Sequence, residues 1–421
     1  MISDKNQEIT INRDRLLERF LRYVRIGTAA DPSSARYPSS ESQRDLGVIL
    51  SNELSDMGAF DAHQDDNGLV WGTIPSTVST TSPTIAFVAH LDTSPEAPGD
   101  QVQPQVISPY LGGSIKLLNG LEISIDDCSD LEGLVGTTLI TTDGNTLLGG
   151  DDKAGVAIIM ELAQTLLENP QLPHGTIKVL MTCDEEIGFG TDKIDLAKLD
   201  ASVAYTIDGG GSGVIDVETF SADAVTAHFV GHNIHPSIAK GTMVNATRAA
   251  CDFVAALPSD QCTPETTEGR QGFIHTYSIE GGVGDAKVEM LLRSFETEQL
   301  SEYATLLEGI ARDLEQRTAG LKVDLQVRQQ YRNLREGLSQ LPQSIDLACE
   351  AFKTLGRPYE RAIIRGGTDG SQLTEKGLPT PNLSSGQHQI HSVKEFACLD
   401  QMIEATEHLV ILVDLWSKET K

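Results

Sequence analysis

The sequence predicts an α/β fold, a sheet covered by helices on both faces, with a smaller α+β domain inserted into it. Two observations carry this. Before residue 216, short apolar runs alternate with amphipathic stretches, as buried strands between helices do. From about 216 to 332 the texture changes to strand, helix, strand, strand, helix, strand, an order complete in itself.

The elements follow in order. Residues 11–25 and 41–58 carry apolar positions at helical spacing, with TAADPSSARYPSS as the loop between them. GLVWGTI at 68–74 reads as a strand and IPSTVSTTSPT as a loop. Apolar strand runs recur as TIAFVAH at 84–90, TIKVLMT at 176–182 and SVAYTID at 202–208. Amphipathic stretches at 153–168 and 394–416 predict helices. In the inserted region SADAVTAHFVG, GFIHTYSIEGG, AKVEMLLRSF and KVDLQVRQQY predict strands, with helices around 242–256 and 297–317. Residues 1–215 and 333–421 then form one discontinuous domain and 216–332 the insertion.

Composition narrows the function classes. The 421 residues are 39% hydrophobic and 22% charged, which suits a soluble globular chain with a substantial core. A formal charge of −29 argues against a broad nucleic-acid or anionic-membrane surface. The opening MISDKNQEIT lacks a basic region followed by an apolar one, so no signal peptide is expected. Six scattered cysteines without a CxxC pair point to a reducing, cytoplasmic setting.

Chemistry gathers where the strand runs end. TIAFVAH closes on His90, with Asp92 two residues on; TIKVLMT is followed by Glu185 and Glu186; SVAYTI ends at Asp208. Asp151 lies in LLGGDDKAG, just ahead of an apolar helix, and His388 and His391 lie in SSGQHQIHSVKEF. Read alone, Asp151 or Asp152 caps that helix. Read together, these residues collect beyond the carboxyl ends of strands, where open α/β sheets bind ligands. Imidazole with carboxylate suits Zn²⁺, and also Mn²⁺ or Co²⁺. Two histidines and three carboxylates exceed what one open catalytic zinc takes, and suit two ions sharing a bridge. His90 and Asp92 point to one side of an extended chain, so Asp92 can orient the imidazole. Of the neighbours Glu185 and Glu186, one binds metal while the other faces water as general base.

These stretches resemble the peptidase T family, tripeptide aminopeptidases among the di-zinc metallopeptidases that include carboxypeptidase G and succinyl-diaminopimelate desuccinylase. HLDTSPEAPGDQVQPQ, LITTDGNTLLGGDDKAG, TCDEEIG, HPSIAKGTMVNA and RGGTDGSQLTEKGLPTPNL occur in the family's order. The resemblance implies a mixed sheet sandwiched by helices as the catalytic domain, with an inserted lid and dimerisation domain. It implies His90 and Asp208 on one zinc, Glu186 and His391 on the other, and Asp151 bridging both, its backbone held in an unusual conformation by the Asp151-Asp152 link. It implies Glu185 as general base, Asp92 as orienter of His90, and His235 as an oxyanion donor. Asn245, Arg293 and Arg365 match substrate-contacting positions, and a homodimer through the inserted domain is implied. Ser392 stands where the family has glycine, and Ser294 follows Arg293 where an acid is common. Spacing to Lys394-Glu395-Phe396 favours His391 over His388.

The function this implies is release of the N-terminal residue from tripeptides. A related carboxypeptidase, dipeptidase or deacylase shares the metal core, and a non-catalytic binding protein would share the scaffold. Structural readings stand beside the functional ones: His235 caps a turn before Pro236, and Arg365 pairs with Asp369.

Overall fold

The computed structural model describes residues 10–78 and 81–420. Most of the opening segment read for a leader lies outside the described residues, as do residues 79 and 80 of the loop after Ile74. The described chain forms two compact units. The first takes residues up to Val217 with Glu336–Ala362 and Thr368 onward; the second takes Glu218–Arg335 with Ile363–Gly367.

The first unit is built on a mixed sheet. Its main path runs Phe60–Gln64, Val70–Ile74, Ile177–Thr182, Ile85–His90, Val203–Gly210, Asn382–His388, Phe396–Cys398, Leu139–Thr141, Gln105–Ile107. The four strands from Ile177–Thr182 to Asn382–His388 run parallel to one another. Every residue of Ile85–His90 and of Asn382–His388 is buried, as expected for strands covered on both faces. The parallel arrangement brings the carboxyl ends at Thr182, His90, Gly210 and His388 to one rim.

Helix Gly150–Glu168 packs against Ile85–His90, Val203–Gly210 and Asn382–His388. It is buried almost throughout, since GVAIIMELA offers no polar face to solvent. Gly155 permits the close approach: a Cβ there would lie 2.1 Å from the Ile207 carbonyl oxygen. Glu161 of this helix is fully buried and held by Arg15 at 2.6 Å and Arg19 at 2.5 Å, both from helix Arg13–Val24. The helix expected over 394–416 begins at Leu399 instead. Phe396–Cys398 ahead of it is a strand, because its backbone pairs with both Gln387–His388 and Leu139–Thr141.

The second unit is a four-stranded antiparallel sheet in the order Phe273–Gly281, Asp285–Ser294, Ser221–Val230, Lys322–Tyr331, with helices Ala246–Ala255 and Thr297–Arg317. Alternate residues of Asp285–Ser294 are buried, so one sheet face is core, with Phe229, Phe253, Val288, Met290 and Leu307. Tyr277, Ile279 and Val327 stay exposed. Ile363–Gly367 belongs here because Phe220 N–H donates to the Ile364 and Gly366 carbonyls, which contiguity in sequence did not anticipate.

Candidate metal centre

At the rim, Asp151 stands between two imidazoles. Its Oδ1 lies 2.9 Å from His90 Nε2, and its Oδ2 lies 3.2 Å from His391 Nε2. His90 Nε2 also faces Asp208 Oδ1 at 3.7 Å, and His391 Nε2 faces Glu186 Oε2 at 3.0 Å. His90, Asp151 and Glu186 offer donor atoms within 4.8 Å of one another, as do His90, Asp152 and Asp208. The Asp151–Asp152 peptide is cis.

The elements explain the placement. Asp92, fully buried, lies with Oδ1 3.4 Å from His90 Nδ1, while its carbonyl oxygen is 3.1 Å from the same nitrogen. Its two carboxylate oxygens also accept the backbone N–H groups of Glu185 at 3.1 Å and Glu186 at 3.0 Å. One side chain therefore sets the His90 ring and the turn that carries both glutamates. Asp208 is held by its N–H to Asn382 Oδ1 at 3.1 Å, and Gln387 Nε2 donates to its carbonyl at 3.0 Å.

The donor set fits divalent cations. Glu186 Oε1 is buried with no hydrogen-bond partner among the described residues. Burial, then the neighbouring Asp151 carboxylate, pushes both Glu186 and Asp208 up to about 7. Burial likewise holds Glu185 well above the usual carboxylate range, with Asp369 and Asp208 adding like charge. Burial opposes charge on His391, yet Asp151 and Glu186 outweigh it and raise the imidazole to about 11. Asp151 is lowered overall: burial works against its charge, but His391 and His90 prevail. Crowded acids facing imidazole nitrogens form a site that positive charge stabilises, and the nitrogen and oxygen donors are those of a zinc-class ion.

His388, the other histidine of the late segment, faces elsewhere. Its Nδ1 lies 3.1 Å from Asp130 Oδ2 and its Nε2 lies 2.7 Å from Gln401 Oε1. The remaining expected site residues belong to the second unit. His235 caps the short turn before Ile238, with Nδ1 2.7 Å from Ser237 Oγ and accepting the Ser237 N–H. Asn245 caps helix Ala246–Ala255 by accepting the Arg248 N–H. The Arg293 guanidinium lies over the Tyr331 ring at 5.0 Å. No carboxylate pairs with it among the described residues, and burial pushes it down to about 10. Ser294, in the position of the missing acid, donates instead to Gln299. Arg365 does not pair with Asp369: it donates to the carbonyls of Gly269 and Gln271 and to Thr267, and rests on Phe220 and Phe273. Asp369 instead accepts from Thr182 Oγ1 at 2.6 Å.

Sequence reasoning missed Glu395. Fully enclosed, it accepts backbone N–H groups from Leu148, Gly149 and Asp151. Nothing in its spacing marks it, because its partners are peptide groups that every residue carries.

A parallel-sheet rim carrying paired imidazoles and a shared carboxylate defines a metallopeptidase, and the chain belongs to Peptidase family M20/M25/M40, whose model matches residues 141–414. Within that family it is similar, at 41% identity over 97% of this chain and 99% of the other, to Peptidase T of Geobacillus kaustophilus (strain HTA426). A tripeptidase from Staphylococcus aureus shares the fold, with TM-score 0.75 and 23% identity over 97% of this chain and all of that one. So does a Bacillus subtilis protein described as a dinuclear metal binding peptidase, with TM-score 0.64 and 15% identity over 96% and 98% of the two chains.

Proposed function

We propose that the chain is a metal-dependent aminopeptidase that hydrolyses tripeptides and releases the N-terminal residue, with two Zn²⁺ ions as its native metals. The single observation that carries this is the pair of Asp151 oxygens, each directed at a different imidazole. In this reading His90 and Asp208 hold one ion, Glu186 and His391 the other, and Asp151 both. Mn²⁺ or Co²⁺ suits the same donors. When bound, such a pair polarises a scissile carbonyl and brings the pKa of water toward neutrality.

The protein's own groups do the rest. Glu185 takes a proton from the attacking water at its carboxylate and delivers it to the departing amine nitrogen. Its burial supports this, since a raised pKa suits a group that must both accept and return a proton near neutral pH. His235 keeps Nε2 free of hydrogen bonds among the described residues, which suits it to donate to a developing oxyanion. Arg293, a cation without an anionic partner among the described residues, suits a peptide carboxylate, and Asn245 a peptide amide. Arg365 shapes the same unit by holding its loop. The name Peptidase T and the tripeptidase description of the fold relative support the choice of substrate.

The second unit serves as lid and dimer surface. The exposed Tyr277, Ile279 and Val327 of its sheet support a homodimer. All six cysteines are free and no helix among the described residues is long and apolar enough to cross a membrane, in keeping with a cytoplasmic peptidase. The test is an assay on tri-alanine beside di- and tetra-alanine, with and without a chelator. Preferred cleavage of tri-alanine, abolished by the chelator, is expected. Release of the C-terminal residue first, or no cleavage despite full metal loading, overturns the assignment.

A further inference from the structure

His388 sits three residues before His391, shares no donor with the centre above, and has its own surroundings. Cys128 Sγ, an Asp130 carboxylate oxygen and a His388 ring nitrogen all lie within 4.8 Å of one another. Cys128 and His388 are buried, while Asp130 opens to solvent. The donors come from two segments far apart in sequence and clamped together. Gln389 Nε2 donates to the Asp127 carbonyl at 2.9 Å, and Lys394 Nζ bonds Asp127 Oδ1 at 2.7 Å. The imidazole is fixed by stacking on Phe396, with ring centroids 4.7 Å apart and planes within 7°.

The hydrogen bonds of His388 point to a ligand. Gln401 Oε1, 2.7 Å from Nε2, is an acceptor that selects the tautomer with its proton on Nε2. In the neutral ring that leaves the Nδ1 lone pair directed at Asp130 Oδ2, 3.1 Å away, two acceptors face to face unless a proton or a metal ion lies between them. A positive charge between them resolves the conflict. Histidines that bind metal through one nitrogen characteristically donate from the other to a carbonyl or carboxylate. Thiolate, imidazole and carboxylate together select a zinc-class ion over magnesium or calcium.

We propose that Cys128, Asp130 and His388 form a third, mononuclear transition-metal site with one position open to water, which pins the segment leading to His391. The competing account is a plain His388–Asp130 ion pair with Cys128 as filler.

Cobalt distinguishes the two. The dinuclear donors are nitrogen and oxygen only, so a thiolate-to-cobalt charge-transfer band reads this site whether or not the paired centre is correctly assigned. Chelator-stripped protein titrated with Co²⁺ is expected to develop that band with the intensity of one thiolate-bound Co²⁺ per chain. Cys128→Ser should abolish it and leave cobalt-supported peptidase activity in place. Gln401→Leu should retain it with about tenfold weaker affinity. Wild-type protein that binds cobalt without the band overturns the proposal, and so does a band that persists in Cys128→Ser. Should Cys128→Ser fail to fold by circular dichroism, the wild-type titration and the Gln401→Leu shift decide it alone.

Discussion

Glu395 Oε1 accepts the backbone N–H of Asp151 at 3.0 Å, so the residue between the two imidazoles is gripped from behind by a second buried carboxylate. The other oxygen of Glu395 takes the Leu148 and Gly149 N–H groups at 2.8 Å each. Because Glu395 lies four residues after His391, it also ties the Asp151 and His391 segments together.

Loss of that grip should loosen the metals before it touches the fold. Glu395→Gln removes one acceptor and presents an amide N–H₂ to N–H groups. Metal affinity, measured by competition with a chromophoric chelator, is expected to fall by about 10–100-fold. Unchanged affinity would show that the backbone holds Asp151 unaided.

Glu185→Gln keeps the shape and removes the proposed base. Turnover is expected to drop by about 10²–10⁴-fold with metal content by elemental analysis unchanged. Turnover near that of the wild type would reassign the proton transfer.

The centre should bind metal with a clear pH dependence. Glu186 and Asp208 ionise only near 7, chiefly because they are buried, so cations must displace protons from them. Affinity should therefore rise through pH 7 and keep rising toward about 11, where His391 gives up its own proton, with proton release on loading. Calorimetry in buffers of different ionisation enthalpy measures that release directly.

Glu161 anchors helix Arg13–Val24 to the core through Arg15 and Arg19. Replacing it by alanine leaves the buried Arg19 guanidinium with only Glu53, 3.6 Å away, as a carboxylate partner and should cost about 3 kcal/mol by denaturant unfolding.

His408 gives a second pH signature, in stability. Burial pushes it down to about 4, with its Nε2 2.9 Å from the Ala348 carbonyl oxygen. The unfolded chain binds the proton more readily, so this contribution is complete above the ordinary imidazole pKa and is lost as pH falls toward 4. At roughly pH 5 the loss is ~2 kcal/mol. Comparing His408→Gln with the wild type at neutral and acidic pH, both chelator-treated, should show the variant's smaller acid sensitivity.

Much of this architecture was legible in the residues. Ile85–His90 and Ile177–Thr182 announce themselves because strands buried on both faces need unbroken apolar runs. The polar residues that end such runs were therefore placeable at the rim, and the structure brings His90, Asp151, Glu186, Asp208 and His391 together there. Residues 105–141 stayed opaque, since strands as short as Ile115–Lys116 and Glu122–Ile123 carry no periodicity. Phe396–Cys398 was absorbed into the helix that follows because three residues cannot declare a period of two. The pairing of Arg365 with Asp369 was misread because the partners of Arg365 are carbonyl groups, which one-letter codes do not distinguish.

The strand Asn382–His388 occupies the middle of its sheet, yet about three hundred residues separate His90 from His391 in synthesis order. While a ribosome is still making the intervening polypeptide, Val203–Gly210 has a bare edge and the proposed metal centre lacks His391. Nascent chains of this enzyme should therefore be inert, sticky and reliant on chaperones until that late strand slots home.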